Sequence, residues 1–150
     1  MNQFLPKVVF LCKSNSARSQ MAEAILKKKA GDHFSVFSAG QGTKPIKPAV
    51  YEVMEEIGYS LEGQQSKTYD TLAYLQPIDY TILVCNDGTC GHFDIQTKNT
   101  LCWEINSPFP GQSPTTLPYE DQLIHYQSLR DQILTHVESW CASTRLVTPN

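Results

Sequence analysis

The sequence predicts an α/β fold: a single three-layer domain over residues 1–150, with a central four-stranded parallel sheet and helices on both faces. Two observations carry this. Short, nearly continuous apolar runs alternate with segments of helical periodicity, as buried parallel strands and their crossover helices do. The 150 residues, 41% hydrophobic and 18% charged, suit one globular domain with a proper core.

Lys7–Leu11 is the first apolar run and reads as a buried strand. A turn rich in Ser and Asn leads into Ser19–Lys28, a stretch of strong helix formers with a basic end, and Gly31 reads as its stop. Phe34–Ala39 is the second strand, ending at Gly40. Pro45–Tyr59 fits a second helix, with proline near its start, Val50, Val53, Met54 and Ile57 at helical spacing, and Gly58 at its end. Asp79–Cys85 and Thr100–Ile105 complete the sheet, and Asn106–Pro118, rich in Pro, Gly, Ser and Thr, is a loop. Tyr119–Trp140 closes the domain as a long helix whose apolar face carries Leu123, Ile124, Leu129, Ile133, Leu134 and Val137.

Several classes of function are excluded. The net charge is −3 and the lysine run Lys27-Lys28-Lys29 falls on a helix end, where cations suit the dipole, so no nucleic-acid footprint is expected. No apolar run reaches the length of a membrane span, and Val8–Cys12 is too short for a signal-peptide core. The expectation is a cytoplasmic monomer that engages neither nucleic acid nor membrane. Five cysteines without a signal peptide favour thiol chemistry or metal binding over a disulfide framework.

Parallel sheets place functional groups at the carboxyl ends of their strands, where Cys12 and Cys85 fall. Cys12 opens the loop Cys12-Lys13-Ser14-Asn15-Ser16-Ala17-Arg18 between the first strand and first helix. A loop this short, wrapped into a helix N-terminus, can aim several backbone N–H groups at one anion. The same field stabilises the Cys12 thiolate, which is the reactive form. Arg18 can grip two oxygens of a phosphate-like group with its planar fork. Ser19 can donate its hydroxyl to the sulfur.

The sequence resembles the low-molecular-weight protein tyrosine phosphatase superfamily, and within it the thiol-coupled arsenate reductases. Val8–Glu23, containing Arg18-Ser-Gln-Met-Ala-Glu23, matches the nucleophile loop and first helix; Phe37–Gly40, Met54–Gly58, Leu83–Cys85 and Arg130–Ile133 match later elements. The resemblance implies a phosphotyrosine phosphatase I-like fold and arsenate reduction to arsenite. Cys12 would be the nucleophile, Arg18 the oxyanion ligand, and Asn15 the brace of the loop. Cys85 would attack Cys12 to release arsenite, and Cys90 would then attack Cys85. No bound cofactor is implied, but an external reductant is: thioredoxin, or glutathione with a glutaredoxin. The alternatives are a protein tyrosine phosphatase, which requires Cys12 and Arg18 alone, and a catalytically weak oxyanion-binding relative. Cys85, Cys90, His92 and Cys102 suit zinc by type, but their spacing follows no familiar zinc pattern. Cys102 and Cys141 read as structural or idle, and His92 could tune Cys90.

Three departures from the resembled pattern stand out. Relatives carry an aspartate directly before a proline after the fourth strand, to protonate the leaving group; here Asn106 and Ser107 precede Pro108. Glu104, Asp94 and Glu120 are the candidates to replace it. Relatives also place a carboxylate where Lys67 stands, helping Asn15, Glu23 and Ser38 hold a potassium ion behind the loop. With Lys67, the expectation is that its ammonium pairs with Glu23 and replaces the ion, so no metal is expected. Ala17 replaces another cysteine of many relatives.

Overall fold

The computed structural model describes residues 5–85, 93–109 and 116–144. Four parallel strands, β1 (Lys7–Cys12), β2 (Ser35–Gly40), β3 (Ile78–Leu83) and β4 (Thr97–Cys102), lie in the order β2-β1-β3-β4. Three helices, α1 (Arg18–Ala30), α2 (Pro48–Glu55) and α3 (Tyr119–Thr144), connect or close them. A 3₁₀ segment spans Tyr69–Leu75. The chain leaves β1 for β2 on one side and later returns to place β3 on the other. That switch of direction opens a crevice at the carboxyl end of β1.

Both faces of the sheet are covered by helical segments. Val8, Phe10 and Cys12 alternate onto the face packed by Met21, Ile25, Val53, Leu129 and Ile133 from the three α-helices. Val9 and Leu11 point to the other face, where Leu72 and Leu75 of the 3₁₀ segment meet Ala39 and Ile78. Val8 to Leu11 are fully buried. Each such aliphatic or aromatic side chain contributes about 1.5–3 kcal/mol. Arg130 ties α3 to α2, donating to the Val53 carbonyl at 2.8 Å and to Glu56 at 2.8 Å.

Several boundaries differ from the sequence expectation. α2 begins at Pro48 rather than Pro45, because Pro48 fits the first helical turn and Lys47 is held extended at the cap. β4 ends at Cys102, three residues before the expected Ile105. Its apolar content misled: Trp103 and Ile105 are buried after the strand has ended. The 3₁₀ segment was not anticipated. Gly31 does stop α1, but in right-handed backbone; a side chain there would strike the Lys27 carbonyl, so close approach rather than positive φ demands glycine. Gly58, at φ 85°, is the left-handed terminator expected after α2.

Candidate functional site

The loop after β1 is held from behind by a buried polar network centred on Asn15. Asn15 sits at φ 50° and is fully buried. Among non-glycine residues, Asn tolerates that backbone best. Its side chain makes four hydrogen bonds. Nδ2 donates to Ser19 Oγ at 2.7 Å and Ser38 Oγ at 3.0 Å; Oδ1 accepts from Gln20 Nε2 at 2.9 Å and the Lys67 backbone N–H at 2.9 Å. The Lys67 amide can only donate, which fixes the orientation of the Asn15 amide. Ser38 in turn donates to Glu23, and Glu23 pairs with Lys27 at 2.7 Å. The expected bracing set of Asn15, Glu23 and Ser38 is therefore brought together.

Lys67 joins that set differently from the expectation. Its contribution is its backbone amide, while its ammonium donates to the Gln65 carbonyl at 3.2 Å. Glu23 takes Lys27 as its ion partner, one helical turn along α1, because the (i, i+4) geometry brings the two within contact. Burial pushes the Lys67 ammonium below its usual range, partly offset by the field of Glu23 and reinforced by Lys27. The donor set does not fit a potassium ion: Asn15 Oδ1 and the Glu23 carboxylate are already engaged by N–H and O–H donors and a lysine.

In front of this network lies Cys12, 3% exposed. Ser19 Oγ is 2.8 Å from its sulfur, and the Asn15 N–H donates to the sulfur at 3.2 Å. Since Asn15 Nδ2 already occupies an oxygen lone pair of Ser19, the hydroxyl hydrogen is free to point at sulfur. Two donors then converge on one acceptor, an arrangement suited to a thiolate. Helix α1 begins behind the loop with no capping side chain and no acid in its first turn, so its own first turn does not offset its positive end. Gly40 permits the packing. A Cβ there would lie 2.7 Å from the Gly42 carbonyl oxygen and 2.8 Å from the Asn15 nitrogen.

Cys12 opens into a cavity of about 470 Å³. Its floor is Lys13, Ser14, Ser16, Ala17 and Arg18, and its walls are Lys44, Pro45, Lys47, Ser107, Pro108, Phe109 and Tyr126. Arg18 is steered by the Ile105 carbonyl, which accepts from its guanidinium at 2.9 Å. Phe109 packs on Tyr126 and His125 with ring centroids 5.1 and 5.0 Å away, which seats the Ser107–Phe109 wall against α3. Burial pushes the Tyr126 phenol up to about 12. Among the described residues no carboxylate lines the cavity. Glu104, Asp94 and Glu120 are absent from its lining, so none of them takes the place of the expected acid. Glu104 follows the end of β4 as an exposed residue, Asp94 approaches Tyr69 through its backbone, and Glu120 is exposed at the start of α3.

The remaining cysteines divide. Cys85 is buried just beyond β3 and is disulfide-bonded; Cys12, Cys102 and Cys141 are free. Cys90 and His92 lie outside the described residues. Cys102 is exposed, with its sulfur 4.0 Å from the Cys85 carbonyl oxygen. Cys141 is buried on α3, and burial pushes its thiol up, which fits the idle role expected of it. No group of three metal-ligating side chains occurs among the described residues. None of their helices is long and apolar enough to cross a membrane.

Sequence reading missed Gln20, Gln64 and Ser66. Gln20, fully buried, spreads its Nε2 over the Asn15 carbonyl, Asn15 Oδ1 and the Gln65 carbonyl. Gln64 secures Gln20 at 2.7 Å, and Ser66 donates to the Ser14 carbonyl at 3.0 Å. A signal existed for Gln20, a polar residue flanked by residues of a buried helix face; Gln64 and Ser66, in an irregular segment, gave none.

Strand order, the crevice beside β1 and the Cys-x₅-Arg loop at its mouth define a class: three-layer α/β proteins with a cysteine-containing anion loop between the first strand and first helix. A family model described as low molecular weight phosphotyrosine protein phosphatase matches residues 7–146, and the chain belongs to that family. It is 36% identical over 141 residues to a glutaredoxin arsenate reductase of a Synechocystis species, covering 92% of this chain and 98% of that protein. It is 30% identical over 128 residues to an arsenate reductase of Bacillus subtilis, covering 84% and 88%. A solved structure of an arsenate reductase in the phosphate-binding state superposes with a TM-score of 0.73 at 29% identity, covering 93% of this chain and 98% of that one.

Proposed function

We propose that the protein is an arsenate reductase that forms an adduct on Cys12 and resolves it through a cysteine relay. The Cys12 thiolate attacks arsenate held by the loop and Arg18; a sulfur–arsenic bond forms, the bond from arsenic to one hydroxyl breaks, and that hydroxyl takes a proton from solvent and leaves as water. The Cys85 thiolate then attacks the Cys12 sulfur. A disulfide forms, the sulfur–arsenic bond breaks, and its electron pair stays on arsenic, which departs as arsenite. Cys90 attacks Cys85, freeing Cys12 as a thiolate and leaving a Cys85–Cys90 disulfide. A dithiol of the thioredoxin or glutaredoxin class then supplies two electrons to restore the thiols. The glutaredoxin arsenate reductase among the relatives supports a thiol-protein partner.

The observation that carries this reading is the geometry at Cys12: its sulfur meets the Ser19 hydroxyl at 2.8 Å and the Asn15 N–H at 3.2 Å, in a cavity lined by Arg18. Cys85, buried just beyond β3, is the second sulfur the relay calls on. The missing acid points the same way. A positioned general acid is worth roughly 10²–10⁴ in rate. A tyrosine phenolate leaving group, with a conjugate acid pKa of about 10, needs that help; an arsenate hydroxyl, open to exchange with water, can take its second proton from solvent.

The test is turnover of arsenate with a dithiol reductant, beside aryl-phosphate hydrolysis, for wild type and for Cys12→Ser, Cys85→Ser and Cys90→Ser. Arsenate turnover should fall to background in all three. A protein that hydrolyses aryl phosphates efficiently, and loses activity at Cys12 alone, is a phosphatase and the relay is wrong.

A further inference from the structure

The lysines of this chain are divided by partner. Lys7, Lys27, Lys28, Lys29, Lys67 and Lys98 each direct the ammonium to a carbonyl or carboxylate oxygen. Lys13, Lys44 and Lys47 make no such contact with a described residue, and all three line the Cys12 cavity. A chain whose formal net charge is −3 thus gathers along one cavity the three lysines whose ammonium groups have no partner among the described residues.

Their placement is ordered. The Lys44 N–H donates to the Ser14 carbonyl at 3.2 Å and to Ser66 Oγ at 3.3 Å, which fastens the rim to the back of the loop. Lys47 caps α2, whose first turn holds no acid, so a cation sits at the positive end of a helix. That combination is unfavourable unless something anionic arrives. Pro45 and Pro48 flank it and limit the backbone's freedom to move away.

The cavity is also larger than one oxyanion. A tetrahedral ion of five heavy atoms displaces roughly five waters, or about 150 Å³. The cavity holds about 470 Å³, a volume typical of small-molecule sites. With the ion seated on the loop, the outer space is bounded on one side by the lysines and on the other by Pro108, Phe109 and Tyr126.

We propose that Lys13, Lys44 and Lys47 form a second anion subsite at the mouth of the Cys12 cavity, which takes the distal acidic group of small molecules carrying two linked anionic groups, of the diphosphate class. The inner half of the ligand rests on the loop as an oxyanion cradle; the cysteine relay is not required. Such molecules compete with arsenate, and their affinity falls steeply with salt.

Calorimetric binding of inorganic phosphate and pyrophosphate to the full-length Cys12→Ser protein tests this. Pyrophosphate should bind at least about tenfold tighter than phosphate at low salt. The double variant Lys44→Gln/Lys47→Gln should lose most of that advantage, while phosphate affinity changes by about twofold or less. Lys44→Arg/Lys47→Arg should keep it. Lys28→Gln/Lys98→Gln, with the same change in net charge away from the cavity, should leave the ratio intact. Equal affinities for the two anions, an advantage that survives loss of Lys44 and Lys47, or an equal fall in the Lys28/Lys98 variant would each overturn the subsite. Failure of phosphate itself to bind would overturn the cradle and the subsite with it, whatever the fate of arsenate turnover.

Discussion

Asn15→Ala separates a loop held by specific bonds from one held by general packing. The substitution places alanine at φ 50°, where a residue with a Cβ pays about 1–2 kcal/mol that asparagine largely escapes. It also removes four hydrogen bonds, three of them buried and the fourth, from the Lys67 amide, partly so. Three of the partners keep another contact: Ser19 with Cys12, Ser38 with Glu23, and Gln20 with two carbonyls. The half-buried Lys67 amide keeps none through this network, and an orphaned donor away from water costs about 1–3 kcal/mol. A total near 4 kcal/mol follows, which for a chain of this size lowers the melting temperature by about 10 °C. Urea unfolding of wild type, Asn15→Ala and Asn15→Gly is the assay. Glycine removes the φ penalty but not the lost bonds, so it should recover about 1 kcal/mol of what alanine loses. Both variants should also lose phosphate binding, because Asn15 N–H and the Ser19 hydroxyl that meet the sulfur share this scaffold. An alanine cost below about 1 kcal/mol, with phosphate binding retained, would refute the claim that this network shapes the loop.

Two further substitutions probe the floor and the wall of the cavity. In Gly40→Ala the added methyl meets backbone atoms at 2.7, 2.8 and 3.0 Å, none of which can rotate away; displacement of the loop should cost about 2–3 kcal/mol in urea unfolding and weaken phosphate binding at least tenfold. Ser107→Asp returns a carboxylate to the wall before Pro108; aryl-phosphate hydrolysis should rise up to about 10²-fold at mildly acidic pH, most for the poorest phenol leaving groups, and an unchanged rate across leaving groups would show that the missing acid is not what limits that chemistry.

The sheet and its nucleophile loop were legible in the sequence because their signals are local. The run before Cys12 is apolar at nearly every position, and the residues that follow combine turn formers with a helix start. Ser19 could be named from its place beside the loop, whereas Asn15, Glu23 and Ser38 were named by the resemblance to the reductases and not by any local pattern. Lys67 shows where local reading stops. Its backbone, not its charge, supports the loop, and whether Glu23 chooses Lys27 or Lys67 depends on how α1 packs against the segment before the 3₁₀ turn. The same applies to β4: Trp103 and Ile105 look like strand residues by hydrophobicity, yet they are buried by tertiary packing after the strand has ended. Lys44 and Lys47 carried no sequence signal, because a lysine beside a proline in a loop reads as solvated until the cavity it faces is known.

On the proposed mechanism, the Cys12 loop by itself does not select between ester hydrolysis and arsenic reduction, since both would begin with the same sulfur attacking the same tetrahedral shape. The selection falls to two places outside it. At the wall, Ser107 and a Tyr126 phenol pushed up to about 12 offer no ready proton near neutral pH, which handicaps expulsion of a phenolate far more than loss of water from a protonated arsenate. On the proposed relay, Cys85 beyond the end of β3 supplies what hydrolysis never needs: a second sulfur to take Cys12 while arsenic keeps the electron pair. β3 ends at Leu83, so Cys85 lies two residues beyond the last pair that β3 makes with β1. On the proposed relay the two sulfurs must meet across that end of the sheet, so the reductase chemistry depends on how the chain beyond Leu83 brings Cys85 to Cys12, a requirement that a phosphatase does not have.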